Sequence, residues 1–385
     1  MKKTDLIGEI CSAFKTEFNI SPEIISSAPG RINFIGEHTD YNNGLAIPFA
    51  INRWVSSAIT YSKSNSFFIY SLNYQKSMKI DLDEKIMSND QWVKIVSQII
   101  LTIKSKFNIT RGANIVVAGN IPIGCGLSSS AAFIVSIVGG LLKLFKIQIS
   151  NEKLAILCRD IEESALGIAC GLLDQYSVIL SKVDYAMMID FKYKSFEYFP
   201  ITFKKTSILV VNSKVNRELS RSGYIDRVRE SRIGLEILKN KFKINDFREI
   251  NASMIEILKK KKVLYKRMKH IFEENLRVKE MRIKLENGTE LEIGKILKNC
   301  HESLRTLYEV SCEEIDYIID ISESFSGCYG GRIVGGGFGG CSIHLVDKSL
   351  SKQYKEYINK LFNKKFDYEL DFYEVEFSDG FTIES

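Results

Sequence analysis

The sequence predicts a two-domain protein that combines helices with strands. At 385 residues the chain exceeds the size at which one hydrophobic core usually keeps growing, so two domains are expected. Helices are predicted by the uncharged stretch at residues 131–142 and by the polar region at 224–284. Strands are predicted by the apolar run at 208–211 and by the alternating pattern at 366–372. Pro200 follows an aromatic, strand-like run and places the domain boundary near residue 200, giving domains 1–200 and 201–385.

The composition is that of a globular protein and argues against several functional classes. Hydrophobic residues make up 45% and charged residues 26% of the chain, which is typical of a folded domain. Lys and Arg outnumber Asp and Glu by 53 to 47, an excess too small to indicate a nucleic-acid partner. Residues 1–10 lack the apolar core of a signal peptide, and the most apolar stretch, residues 127–142, is too short to span a bilayer. We therefore expect a cytoplasmic protein with no membrane association and no obligate protein partner.

The eight cysteines show no metal-ligand spacing. In a protein without a secretory signal they are expected to be reduced thiols. A thiolate metal site is therefore not expected. His270, His301 and His344 also lack ligand spacing and are expected to be structural or exposed.

A glycine–serine segment in the first half of the chain predicts a phosphate site. Gly124 and Gly126 allow the backbone to approach a ligand closely, and any of the serines at 128–130 can cap the helix predicted to begin at Ala131. The free N–H groups and the positive dipole end of that helix favour an anion such as phosphate. A capped core helix behind a glycine turn is the alternative interpretation. The segment lacks the Gly-Lys-Ser/Thr of a Walker motif.

A dense group of polar side chains at residues 31–44 predicts a site for a polyhydroxylated ligand. Arg, Glu, His and Asp crowd there between apolar flanks, and each hydroxyl of such a ligand needs an oriented donor or acceptor. A surface loop is the alternative, but such a loop has no reason to place Glu-His-Thr-Asp at 37–40 directly after Phe34 and Ile35.

Two carboxylates near the middle of the chain are candidates for metal binding and catalysis. Glu162 flanks the buried stripe of a predicted helix, which makes it a plausible magnesium ligand and equally a salt-bridge partner. Asp174 follows a glycine and two leucines, and a lone acid in that apolar setting is costly unless it is used. Asp174 is therefore the candidate for the reacting carboxylate.

The glycine run at residues 335–340 formally matches a dinucleotide-binding fingerprint. That fingerprint requires a following helix, whereas residues 341–345 alternate like a strand. A glycine loop between two strands that closes over a ligand fits the pattern better.

These segments, in this order, resemble the GHMP kinases, and within that family the branch that phosphorylates galactose. The resemblance covers nearly the whole chain, because residues 171–175, 212–224 and 303–311 also fit it. It implies a two-domain α+β fold with the active site between the domains. It also implies transfer of the γ-phosphate of ATP to the anomeric hydroxyl of α-D-galactose, with Mg²⁺.

The resemblance also implies roles for individual residues. The catalytic positions are those of Arg31 and Asp174. The sugar-contacting positions are Glu37, His38, Asp40, Gly171 and Tyr224. The phosphate-loop positions that bind ATP are Gly124, Gly126, Leu127, Ser128 and Ser129, and the metal-associated pair is Ser130 and Glu162. Arg217 is a further candidate helper, and no adenine-contacting residue is assigned because Trp92 stands where the family usually has a tyrosine.

Two roles of Asp174 fit this interpretation. Arg31 beside Asp174 would keep the carboxylate ionised at neutral pH. The carboxylate could then accept the anomeric proton as a general base, an effect of about 10²–10⁴-fold. It could instead act by electrostatics and positioning, since phosphoryl transfer can proceed with little base assistance.

Two other functions compete with this reading. One is a related sugar-1-kinase for N-acetylgalactosamine or arabinose, against which Thr39 and residues 42–44 favour the galactose form. The other is a regulator that binds galactose and ATP without catalysis, against which the intact serine run at 128–130 and Asp174 argue.

Overall fold

The computed structural model describes residues 2–81, 88–122, 124–167, 171–201, 203, 205–215 and 220–384, which form two β-sheets with packed helices. Arg217 and Cys170 lie outside the described residues. The helices are α1 (Lys3–Phe18), α2 (Gln91–Phe107), α3 (Ser129–Leu144), α4 (Asn151–Leu166), α5 (Leu173–Leu180), α6 (Ser220–Phe242), α7 (Ala252–Ile255), α8 (Lys262–Asn287), α9 (Glu290–Ser303), α10 (Glu313–Ser322) and α11 (Ser351–Phe366). The strands are β1 (Ile24–Ile35), β2 (Leu45–Tyr61), β3 (Ser66–Ser71), β4 (Lys76–Asp81), β5 (Ala113–Gly119), β6 (Tyr185–Asp190), β7 (Ser195–Pro200), β8 (Thr206–Asn212), β9 (Cys328–Ile333), β10 (Cys341–Asp347), β11 (Asp371–Val375) and β12 (Thr382–Glu384).

The first sheet has the order β12-β1-β2-β5-β3-β4, with β6 paired to β2 and β7 paired to β6. Its long central strands are buried on both faces, because helices cover both sides. Leu6, Ile10 and Phe14 of α1 pack with Ala58 on one face. The neighbouring Ile59 points to the opposite face, toward α3. The last strand, β12, comes from the end of the chain and pairs antiparallel with β1.

The second sheet is antiparallel, with the order β11-β8-β10-β9. Strand β8 confirms the strand predicted at residues 208–211, and α6 and α8 confirm the predicted helical middle. The strand predicted at 366–372 was wrong at its start, since Phe366 ends α11 and β11 begins at Asp371. Phe362 and Phe366, four residues apart, pack together on one face of the helix and so favour helix over strand there.

Helix α8 fixes the loop that follows β1. The Glu274 carboxylate accepts hydrogen bonds from the backbone N–H groups of Gly36, at 2.8 Å, and Glu37, at 3.2 Å. Asn275 Oδ1 accepts from the N–H of Leu45 at 2.9 Å. The polar segment at residues 36–45 is therefore held at both ends by one helix from the second half of the chain. No helix in the described ranges is long and apolar enough to cross a membrane.

Candidate active site

The predicted phosphate loop opens directly onto the start of α3. Gly124 and Gly126 have φ of 79° and 71°, in the left-handed region that favours glycine. The helix begins at Ser129, two residues earlier than expected, because Ser128 in a left-handed conformation occupies the N-cap position. Since the Ser128 side chain makes no cap bond, the N–H groups of the first turn are not capped by it. This geometry suits an anionic ligand.

A cavity of about 620 Å³ lies beside this loop. Its lining includes Trp92 of α2, Gly124 of the loop, and Ser129, Ser130 and Phe133 of α3. The volume is within the range of small-molecule sites. The cavity can therefore take a nucleoside whose phosphates extend toward the loop.

Arg31 joins Asp174, the predicted reacting carboxylate, to the predicted phosphate loop. Its Nε and Nη2 both donate to Asp174 Oδ1, at 2.8 and 2.5 Å, and its Nη1 donates to the carbonyl of Gly126 at 2.7 Å. Arg31 is buried on β1, whereas the Asp174 side chain, in the first turn of α5, keeps 31% of its surface exposed. The two residues predicted to be catalytic thus form an ion pair at the mouth of the loop.

Ser130 and Glu162, the predicted metal-associated pair, are in direct contact. Ser130 Oγ donates to Glu162 Oε1 at 2.5 Å, and Gln175 Nε2 donates to Oε2 at 2.6 Å. Burial raises the pKa of Glu162 to about 7, and the nearby charge of Asp174 adds to the shift. Among the described residues, the hydrogen bonds given to this buried carboxylate come from the neutral donors Ser130 and Gln175, and the carboxylate and hydroxyl oxygens are ligands that Mg²⁺ prefers. The residues present therefore fit a magnesium ion.

Asp40 and Gly171, two of the residues predicted to contact the sugar, lie against each other. A Cβ at Gly171 would come within 1.7 Å of Asp40 Oδ2, so only glycine leaves room for that carboxylate. Burial raises the pKa of Asp40 to about 7, with further contributions from the charges of Asp174 and Glu37. The Asp40 carboxylate is therefore close enough to Asp174, one of the two residues predicted to be catalytic, to interact with its charge.

Glu37 connects the polar segment to the glycine loop. Its Oε1 accepts from both Nη atoms of Arg332, each at 3.1 Å, and from the N–H of Gly335 at 3.0 Å. Arg332 is fully buried on β9, and its Nε also donates to the carbonyl of Phe34 at 3.0 Å. The loop at residues 334–340 lies between β9 and β10, as the sequence predicted.

His38 stands in a ring of tyrosines. Its imidazole is 4.7 Å from the ring of Tyr308, 5.8 Å from Tyr224 and 6.0 Å from Tyr41, measured between centroids. Its Nδ1 lies 2.9 Å from the hydroxyl of Tyr41. Burial, together with the neighbouring His270 and Arg227, lowers the pKa of His38 to about 3, so the ring is neutral at pH 7.

The structure brings the described site residues predicted from the sequence into one cluster between the phosphate loop and the glycine loop. Leu127 contributes its backbone carbonyl, which accepts from the N–H of Arg31 at 3.0 Å, while its side chain is buried. Sequence reasoning missed Arg332, Tyr41 and Tyr308. The signal for Arg332 was a single charge inside an otherwise uncharged strand, and Tyr41 lay within the polar segment without being selected.

Three parts of the chain match sequence families of known kinases. Residues 94–182 match the family described as GHMP kinases N terminal domain, and residues 281–364 match GHMP kinases C terminal. The fold is accordingly the two-domain α+β fold of the GHMP kinases. Residues 12–61, which contain the polar segment, match the galactokinase galactose-binding signature.

Full-length relatives narrow the class further. The chain is 38% identical to the galactokinase of Thermotoga maritima over 353 residues, covering 92% of this chain and 98% of that protein. It is 34% identical to the galactokinase of Staphylococcus carnosus, covering 97% and 98%. The chain belongs to the galactokinase family.

Solved structures agree with this assignment. A galactokinase of Lactococcus lactis, crystallised in complex with galactose, superimposes with a TM-score of 0.92 at 28% identity, covering 98% of this chain and 99% of that one. The mevalonate kinase of Methanococcus jannaschii superimposes with a TM-score of 0.65 at 20% identity, covering 92% and 98%, which reflects the fold alone.

Proposed function

We propose that this enzyme transfers the γ-phosphate of ATP to the anomeric hydroxyl of α-D-galactose, giving α-D-galactose 1-phosphate. The observation that carries the proposal is the ion pair in which Arg31 holds Asp174 while bonding the phosphate loop through the Gly126 carbonyl. Membership of the galactokinase family supports galactose as the acceptor. We also propose that residues 1–200 and 201–385 form the two domains, with β12 returning to the first sheet.

Asp174 is the group that meets the acceptor hydroxyl. Both hydrogen bonds from Arg31 go to Oδ1, so Arg31 fixes the carboxylate without engaging Oδ2. Asp174 can accept the hydroxyl proton or stabilise the attacking oxygen electrostatically, and both roles are compatible with a loose phosphoryl-transfer transition state.

The nucleotide binds across the loop and the cavity. The N–H groups at the start of α3 and the left-handed backbone at Gly124 and Gly126 receive the phosphates. The cavity lined by Trp92 and Phe133 receives the base and ribose. Ser130 and Glu162 would hold Mg²⁺, which, when bound, neutralises charge on the transferring phosphate.

The sugar lies on the opposite side of Asp174. Asp40, packed against Gly171, and His38, beside Tyr224, offer acceptors and donors for its hydroxyls. Glu37 is held by Arg332 and the glycine loop, so the loop and the sugar segment form one wall of the site.

A sugar panel tests the acceptor. The purified enzyme with Mg²⁺ and ATP should turn over galactose with a higher kcat/KM than N-acetylgalactosamine, arabinose or glucose, and ³¹P NMR should identify an α-1-phosphate. A higher kcat/KM for arabinose or N-acetylgalactosamine would contradict the assignment of galactose. Binding of galactose and ATP without turnover would contradict the assignment of a kinase.

The pKa of Glu162 gives a test of the metal site. Its pKa rises from 4.5 to about 7 on folding, so the folded protein retains a proton that the unfolded chain has released. Stability linked to this group therefore falls as the pH rises from about 4.5 to about 7. Glu162→Gln cannot ionise, so without Mg²⁺ and nucleotide it should match the wild type at about pH 4 and exceed it by about 3 kcal/mol at pH 8 in urea unfolding.

The neighbouring Glu163 supplies the control. Its side chain is 42% exposed, so Glu163→Gln should change stability little at either pH. Identical pH dependence in the wild type and Glu162→Gln would contradict the buried, proton-binding state of Glu162. In the kinase assay, Glu162→Gln should also require more Mg²⁺ for half-maximal activity than Glu163→Gln does.

A further inference from the structure

A buried relay of hydroxyl groups lies behind His38. The hydroxyl of Tyr308 is 2.9 Å from that of Tyr41, which in turn is 2.9 Å from His38 Nδ1. Tyr308 is fully buried and His38 nearly so. At the far end of the relay, His38 Nε2 is buried and has no hydrogen-bond partner within the described ranges. Buried polar atoms are nearly always paired, so this nitrogen is oriented to meet a ligand atom.

Tyr308 is held in place by an unusual turn of helix. Residues Leu304–Tyr308 form a π-helix that continues α9, and Glu309 follows in the left-handed conformation with φ of 56°. Such π-turns are rare and occur frequently at functional sites. At the end of this turn the Tyr308 hydroxyl reaches Tyr41, within the polar segment at residues 31–44.

Two arginines bond the carbonyls of this turn. Arg267 donates to the carbonyl of Leu307 at 2.6 Å, and Arg227 donates to those of Tyr308 at 2.6 Å and Glu309 at 2.9 Å. Both arginines also share the carboxylate of Glu230, at 2.7 and 3.1 Å. Charge-assisted bonds of this kind are stronger than neutral ones, so the backbone at Tyr308 is tightly fixed.

The ring of Tyr308 is packed independently of its hydroxyl. Its centroid is 4.7 Å from that of His38 and 4.5 Å from that of His270. A phenylalanine at this position would keep both ring contacts and lose the hydroxyl's bonds to Tyr41 and Ser231, of which the Tyr41 bond leads to His38. The hydroxyl therefore has a function that can be separated from packing.

The protonation states of the two tyrosines and of His38 let the relay set the tautomer of His38. Burial raises the pKa of both Tyr41 and Tyr308, so both hydroxyls keep their protons. The neutral imidazole of His38 has one nitrogen that donates and one that accepts. Whatever Tyr41 does at Nδ1 thus determines what Nε2 offers to a ligand.

We propose that Tyr308, acting through Tyr41, is a positioning residue for sugar recognition, because it fixes the orientation and tautomer of His38. The proposal rests on the proposed function, in which His38 meets a galactose hydroxyl. Tyr308 does not contact the sugar itself. It acts through two hydrogen bonds that end at Nδ1 of His38, and the Nε2 atom of the same ring meets the sugar hydroxyl.

The first test compares Tyr308→Phe with a matched control. Tyr354 is also a fully buried tyrosine, and its hydroxyl lies 2.8 Å from Nδ1 of another buried histidine, His344, in the second sheet. Tyr308→Phe should raise KM and Kd for galactose by about tenfold, the loss expected for one hydrogen bond, with kcat and the KM for ATP nearly unchanged. Tyr354→Phe should leave every one of these constants unchanged, and thermal unfolding shows that both variants are folded.

The second test is a double-mutant cycle on galactose binding, measured by calorimetry. In a His38→Ala background, the addition of Tyr308→Phe should have no further effect on Kd, because the relay no longer has an end point. An unchanged galactose KM in Tyr308→Phe, an equal rise in Tyr354→Phe, or an undiminished effect in His38→Ala would overturn the inference. These results are distinct from failure of the proposed function, in which the wild type itself does not phosphorylate galactose.

Discussion

Replacement of Asp174 by asparagine is expected to lower kcat by about 10²–10⁴-fold, the range for loss of a proton-transfer group. Asparagine keeps the shape of the side chain, and its oxygen can still accept from Arg31, so the fold should persist. It has no negative charge and cannot act as a base, so the loss should fall on kcat, while the KM values for galactose and ATP change little. Steady-state release of ADP measures both quantities.

A surface pair supplies the control for this variant. Asp160 also bonds an arginine, with Arg159 Nη2 at 2.7 Å, but 46% of its side chain is exposed and it lies outside the site. Asp160→Asn should retain nearly wild-type kcat. Near-wild-type turnover in Asp174→Asn would refute the assignment of Asp174 as the reacting carboxylate.

Removal of the Arg332 charge is expected to cause the largest loss of stability. Arg332→Met removes the charged donor from the buried Glu37 carboxylate and from the carbonyl of Phe34, and leaves Glu37 with the neutral N–H of Gly335. Breaking a buried ion pair in this way costs about 3–5 kcal/mol, because the remaining charge is uncompensated. The free energy of unfolding in urea measures the loss.

Arg305 is the matched control for Arg332. Its side chain is partly exposed and pairs with the exposed residues Glu302 and Asp320, so Arg305→Met should cost about 1 kcal/mol or less. The double variant Glu37→Gln/Arg332→Met should recover part of the lost stability, since no buried charge remains. Equal stability of the Arg332→Met and Arg305→Met variants would contradict the structural role given to Arg332.

Local patterns in the sequence predicted much of the site. Alternating glycines followed by serines and an uncharged run predicted the loop and α3, because these signals act over neighbouring residues. The same reasoning identified the glycine loop between β9 and β10 by the strand period that follows it. The exact start of α3 was not predictable, because any of three serines could have taken the cap position.

Contacts between residues that are far apart in the sequence could not be predicted from local sequence patterns. Arg31 and Asp174 are 143 positions apart, and only the resemblance to a family connected them. Arg332 and Glu37 are 295 positions apart, and nothing in either local segment indicates the other. The π-helix that carries Tyr308 has no signal in residue propensity, because its carbonyls are satisfied by Arg227 and Arg267 from other helices. These features depend on tertiary packing rather than on sequence periodicity.

A crystal structure with galactose and a non-hydrolysable ATP analogue is the most direct test of the catalytic arrangement. It should place the anomeric oxygen within about 3.2 Å of the Asp174 carboxylate, with the terminal phosphate between that oxygen and the start of α3. A sugar bound with its anomeric oxygen turned away from Asp174, or phosphates bound away from Gly124–Ser130, would contradict the mechanism proposed for this enzyme.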